Sequence, residues 1–167
     1  MRKEDFSGIA ERYHPLLYKT GRSFTDTEDD FQDLYQEMLI QLWQALPQFQ
    51  KKSAESTFVY RVVLNTAMTY RRQAKKLRRM EGLPEVGLVA EENTARQKEQ
   101  DVNLLYEAIH ALPPTDRSLM LLYLEEKKYH EIAEILGLTT SHVGVKIKRI
   151  KERLYTELKK RGYDAGS

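Results

Sequence analysis

No cysteine occurs in this 167-residue chain, which excludes disulfides, Cys-ligated zinc and any thiol chemistry. Long apolar runs are missing too. The opening stretch MRKEDFSGIAERYHPLLYKT has no apolar run of about seven residues to form a signal-peptide core, and nothing approaches the roughly 20 needed to cross a bilayer. A cytoplasmic protein without membrane insertion is the expectation. No glycine-rich phosphate loop or nucleophile elbow is present. His14, His110, His130 and His142 are scattered, with no second ligand at a metal-binding spacing. These absences argue against an enzyme, a metal site, a cofactor or a small-molecule substrate. Strand-like alternation and internal repeats are also lacking.

What the chain has is 41% hydrophobic and 31% charged residues, enough to build a core with a wet surface. Its net charge of +2 says little, but the charges are sorted along the sequence. Residues 26 to 37 carry six acids and no base, and Arg61 to Arg79 carries seven bases and no acid. Residues 80 to 101 hold six acids against two bases, and 142 to 161 hold eight bases against two acids. The order along the chain is acidic, basic, acidic, basic.

Apolar residues at Phe31, Leu34, Tyr35, Met38, Leu39, Leu42, Trp43 and Leu46 step by threes and fours, so a helix is predicted there, ended by Pro47. QFQKKSAEST is polar and aperiodic and reads as a loop, with Ser56 or Thr57 positioned to cap the next helix. Phe58, Val59, Val62, Val63, Ala67 and Tyr70 make a second stripe that continues into the basic run RRQAKKLRR. Weak periodicity with Gly82, Pro84 and Gly87 then marks a linker. The expected organisation is all-α with two small helical domains, residues 1–79 and 102–167, joined by a flexible acidic linker at 80–101.

Within the second half, Leu104, Leu105, Ala108, Ile109 and Leu112 share a face, and Pro114 suits the start of a new helix. YHEIAEILGLTTSHVGVKIKRIKERL, residues 129 to 154, has the parts of a helix-turn-helix. Ile132, Ala133 and Leu136 face inward on the first helix, Gly137 suits a left-handed C-cap, Leu138 plugs the turn and Thr139 caps the second helix. Val143, Ile147, Ile150 and Leu154 form that helix's inner stripe, leaving Lys146, Lys148, Arg149, Lys151 and Arg153 outside. One buried and one cationic stripe is what major-groove docking requires. The motif alone does not distinguish a repressor, an activator and a promoter factor.

The rest of the chain narrows the choice. DLYQEMLIQLWQALPQF at 33–49 and STFVYRVVLNTAMTYRRQAKK at 56–76 resemble region 2 of the bacterial sigma-70 family, in its extracytoplasmic-function (ECF) group. LPPTDRSLMLLYLEEKKYHEIAEILGLTTSHVGVKIKRIKERL at 112–154 resembles region 4. The resemblance implies a sigma factor that binds core RNA polymerase at the clamp helices of the β′ subunit and recognises promoter DNA. It further implies a −35 element read by region 4, a −10 element read and melted by region 2, and a possible anti-sigma partner.

By position, the clamp-binding surface would hold Asp33, Leu34, Gln36, Glu37 and Trp43. Loop and basic-helix contacts to the −10 element would come from Lys51, Lys52, Ser53, Ser56, Tyr60, Arg61, Asn65, Arg71, Arg72, Lys75 and Lys76. Extruding a base costs a few kcal/mol and needs such polar and stacking partners. Contacts to the −35 element would come from Thr139, Ser141, His142, Gly144, Val145, Lys146, Lys148, Arg149 and Lys151. At two of these the chain departs from the family, which commonly has a basic residue in place of Gly144 and a polar one in place of Val145. The serious alternative is a conventional helix-turn-helix regulator that binds duplex DNA by itself as a dimer.

Overall fold

The computed structural model of the protein describes residues 3–83 and 97–162, with side chains from 104 onward in the second stretch. Among the described residues the structure is helical, without strands. It divides into two compact units, Met1–Gly87 and Leu88–Ser167.

The first unit contains α1 (Lys3–Arg12), α2 (His14–Phe24), α3 (Glu28–Ala45), a 3₁₀ turn (Leu46–Gln48) and α4 (Glu55–Met80). Helices α2, α3 and α4 pack against one another. Thr27 caps α3, its side chain accepting from the Asp30 N–H at 3.1 Å, and the acids Glu28, Asp29 and Asp30 in the first turn suit the positive end of the helix dipole. Inward stripes supply the core: Leu17 and Phe24 of α2, Leu34, Met38 and Leu42 of α3, and Val59, Val63 and Ala67 of α4, all fully buried. The apolar period had marked α3 and α4, whereas α1 and α2 escaped it. Pro15, which sits in the first turn of α2, interrupts that period while being well placed for a helix start.

Two local expectations are corrected. Neither Ser56 nor Thr57 caps α4, which begins earlier, at Glu55, with Ala54 at the cap and no side-chain bond there. A capping hydroxyl is only one way of meeting the free N–H groups of a first turn. The linker expected at 80–101 is shorter at both ends: Met80 belongs to α4, and Gln97 already begins α5. The acids and glycine between them, at 84–96, lie outside the described residues.

Gly21 in α2 explains how α3 comes so close. A Cβ built there would lie 2.8 Å from Cε2 and 3.0 Å from Cδ2 of Phe31, closer than real side chains tolerate. Gly21→Ala should therefore destabilise this unit by about 1 kcal/mol net, the overpacking exceeding the better helix propensity of alanine. The chain has one tryptophan, Trp43, so its fluorescence during urea unfolding reports this unit. A midpoint unchanged from wild type would mean that Phe31 moves aside freely.

The second unit contains α5 (Gln97–His110), α6 (Pro114–Leu124), α7 (Tyr129–Leu136) and α8 (Thr140–Lys160). Pro114 begins α6 as expected. Leu119, Met120, Leu121 and Leu122 are buried in succession, so α6 is enclosed on every side instead of having one apolar face. The α7–α8 corner forms from the parts the sequence offers. Gly137 takes the left-handed conformation at φ 70°, and the Leu138 N–H bonds back to Ala133 O at 2.9 Å. Thr139 caps α8, accepting from the His142 N–H at 3.1 Å. Val143, Ile147, Ile150 and Leu154 are all buried. On α7, Ile135 joins Ile132 and Ala133 in the core, while Leu136 is only half-buried.

Candidate nucleic-acid interface

Burying the stripe of α8 leaves its other face to solvent. Ser141, His142, Val145, Lys148, Arg149 and Lys151 are exposed there. Two cations on the helix turn towards their own unit. The Lys146 ammonium lies 3.5 Å from Asp116 of α6, and that of Lys151 stands 4.2 Å over the Tyr123 ring, whose hydrogen bond raises the lysine's pKa. Lys148 and Arg149, and Arg153 one turn further along, are thus the outward cations of this face. Thr139 is exposed, with its side-chain oxygen engaged as the helix cap. Gly144 lies against Tyr129, whose ring would be 3.6 Å from an added Cβ. A side chain would fit there.

In the first unit, α4 sorts its functional candidates by face. Arg61, Asn65, Arg72 and Lys76 recur at steps of four, seven and four, one stripe along the helix, opposite buried Val59, Val63 and Ala67. Lys75 is also exposed. Arg71 lies towards the core side: its guanidinium pairs with Asp26 at 2.7 Å, the carboxylate side chain only 6% exposed. It ties α4 to the turn before α3. Tyr60 is half-buried on the same side. Tyr70 donates to Asp30 at 3.4 Å. Burial first, then the charges of Asp30 and Asp33, push its phenol up to about 12, so it stays a neutral donor through the physiological range.

The loop before α4 is clamped at both ends. Phe49 and Phe58 pack at 4.8 Å between ring centroids. At the other end, Glu55 Oε1 accepts from Arg12 Nη1 at 2.8 Å and from the Tyr13 hydroxyl at 3.1 Å. Between the clamps, Lys51 adopts a left-handed φ of 55°, uncommon for a residue with a side chain. Lys51 and Lys52 are exposed, and Ser53 and Ser56 are half-buried. Nothing in the sequence pointed to Arg12 and Tyr13, because their link to Glu55 spans more than forty residues.

On α3, Asp33 and Gln36 are exposed and Glu37 is half-buried, its carboxylate accepting from Gln41 Nε2 at 2.9 Å. Leu34 does not share that surface. It is fully buried, because its position falls on the inward stripe with Phe31 and Met38, and it has no surface to offer a partner. Trp43 is 44% exposed and meets Phe6 of α1 edge-on at 5.1 Å. Ile40, 49% exposed, continues the outer surface between Glu37 and Trp43, and the helix period could have named it. Beside Gln36 lies an open groove of about 410 Å³, lined by His14, Tyr18, Phe31, Gln32, Tyr35 and Gln36.

Among the described residues, no cluster of three or more metal-binding side chains occurs, and no helix is long and apolar enough to cross a membrane.

A helix-turn-helix with a cationic outer face, accompanied by a separate helical unit with its own basic helix, defines a DNA-binding protein. Residues 9–77 match the family model Sigma-70 region 2 and residues 103–154 match Sigma-70, region 4. The chain belongs to the sigma-70 family of RNA polymerase sigma factors, in the ECF group. It is 27% identical over 144 residues to the RNA polymerase sigma factor SigV of Bacillus subtilis, covering 86% of this chain and 80% of SigV. To the ECF RNA polymerase sigma factor SigG of Mycobacterium tuberculosis it is 27% identical over 181 residues, spanning 93% of this chain but only 49% of SigG. The fold is similar to that of RpoE from Bartonella quintana, solved with the anti-sigma factor NepR. That likeness has a TM-score of 0.71 at 20% identity, covering 93% of this chain and 98% of RpoE. CnrH, solved with the cytosolic domain of CnrY, gives a TM-score of 0.67 at 20% identity, covering 95% of this chain and 90% of CnrH.

Proposed function

We propose that this protein joins core RNA polymerase at the clamp helices of the β′ subunit, brings it to promoters and promotes melting there, acting in the cytoplasm without catalysing a reaction itself. On this reading the first unit, with α1 to α4, serves polymerase and the −10 element, and the second, with α5 to α8, serves the −35 element. The observation that carries it is the pairing of two separate cationic surfaces. One is the outer face of α8, with Lys148 and Arg149; the other is the stripe Arg61, Asn65, Arg72 and Lys76 on α4, beside the loop at 49–54. Duplex readout suits the first, and backbone tracking with capture of extruded bases suits the second.

The acid-rich first half of α3, exposed at Glu28, Asp29 and Asp33, supports a basic partner surface such as a clamp. The anti-sigma factor NepR in the RpoE complex supports a partner of that kind for this chain.

DNA binding measured with and without core polymerase tests the role. Weak binding by the free protein and specific promoter binding by the mixture are expected. Tight, specific binding by the free chain to paired half-sites would replace this reading with that of a dimeric regulator. Glu37→Ala should weaken core association by about tenfold, roughly 1.4 kcal/mol, in a titration of labelled protein with core polymerase. An unchanged affinity would return Glu37 to an ordinary solvated helix face.

A further inference from the structure

The −35 role just proposed for α8 is the basis of this inference, which names what one side chain of that helix reads. Val145 is 47% exposed in the second turn of α8, near the end from which a recognition helix reaches base edges. The neighbouring valine of the same helix, Val143, is fully buried, so packing accounts for one valine and leaves the other unexplained. Around Val145 on the outer face stand Ser141, Lys148 and Arg149, all exposed. They are groups that hydrogen-bond, and Val145 is an apolar island among them.

Gly144, next in the chain, adds no side chain to that surface, and the Tyr129 ring lies behind it on the protein side. On the Gly144 side the isopropyl group therefore has no side chain beside it, while Lys148 and Arg149, one turn further on, are long enough to reach past it to phosphates. An isopropyl group neither donates nor accepts. Set against a guanine, cytosine or adenine edge, it would strip water from a polar group and return no bond. In the major groove the apolar feature that complements it is the C5 methyl group of thymine.

We propose that Val145 reads a thymine of the −35 element through its C5 methyl group. Discrimination then comes from apolar contact at this position, where most of the surrounding surface works through charge and hydrogen bonds.

Deoxyuridine removes that methyl and leaves the base-pairing groups alone. Mapping transcription starts after overexpression supplies a promoter. Each −35 thymine, on either strand, is then replaced singly by deoxyuridine, and initiation by the holoenzyme of core polymerase and full-length chain is measured. At one position, initiation should fall about three- to fivefold, the weight of one buried methyl group. Val145→Ser, at an exposed site and so compatible with folding, should make that same position indifferent to the methyl. The methyl contact is overturned if wild type ignores deoxyuridine everywhere, if the serine variant keeps the wild-type ratio, or if the element contains no thymine. Absence of core-dependent initiation even on unmodified DNA would overturn the −35 role and the contact together, an outcome plainly different from methyl-indifferent initiation.

Discussion

Replacing Arg72, Lys75 and Lys76 together by alanine should lower promoter-dependent initiation by roughly a hundredfold, about 1 kcal/mol for each charge-assisted phosphate contact, while association with core polymerase stays intact. These three side chains are exposed on α4 beyond the point where it buries its core stripe, so their loss leaves the packing of the unit alone. The triple change also removes about three counterion-releasing contacts, and the salt dependence of promoter binding should become shallower by about that number in log–log slope. Initiation assayed across a salt series, together with core binding by titration, separates the two effects. Undiminished initiation with an unchanged slope would reduce this stretch to a solubilising end.

Arg71 does not belong with those three. The basic run RRQAKK presents four cations without telling them apart, yet Arg71 holds Asp26 at 2.7 Å from a largely buried position. Arg71→Ala should cost folding stability of the first unit, and its effect on initiation would be confounded with unfolding. The distinction depends on where residue 71 falls around the helix. At a step of four from Ala67 and three from Met68, both buried, it is drawn to the inward side.

Periodicity and capping chemistry are local, and they placed α3, α4 and the α7–α8 corner, including the left-handed Gly137 and the Thr139 cap. They failed, as with Arg71, where a local signal was broken or an energetic choice was long-range. Pro15 disguised α2. Leu34 stands on the apolar stripe with Phe31 and Met38, which already marked it as core; only the position-by-position family resemblance set it beside Asp33 and Gln36 on a partner surface. The clamp on Glu55 by Arg12 and Tyr13 joins residues far apart in the chain. Likewise, the outward cations of α8 became distinguishable from Lys146 only once Asp116 stood opposite it.

Arg117→Met should lower the stability of the second unit by about 3 kcal/mol. Arg117 is 2% exposed in α6, and nothing in its sequence neighbourhood marks it as different from a surface arginine. One nitrogen of its guanidinium, Nη2, donates to His110 O and to Leu112 O, the latter at 3.0 Å. These carbonyls lie where α5 ends, and a helix end leaves carbonyls without intrahelical partners. Methionine fills comparable space but donates nothing, so both oxygens would lose the bond from Nη2, at about 1–3 kcal/mol each. Arg117→Lys should recover only part of the loss, since the lysine side chain is shorter and its ammonium does not reach the place where Nη2 meets both carbonyls. For a unit of this size the methionine change corresponds to a fall in Tm of roughly 12–24 °C. Circular dichroism, which sees the helices of both units, should show that shift, while Trp43 fluorescence, confined to the first unit, should melt as in wild type. A methionine variant whose helical signal melts at the wild-type temperature would mean that the end of α5 finds its hydrogen bonds elsewhere. If the shift is found, −35-dependent initiation should fail on warming before core association does, because the recognition helix α8 packs on both α5 and α6.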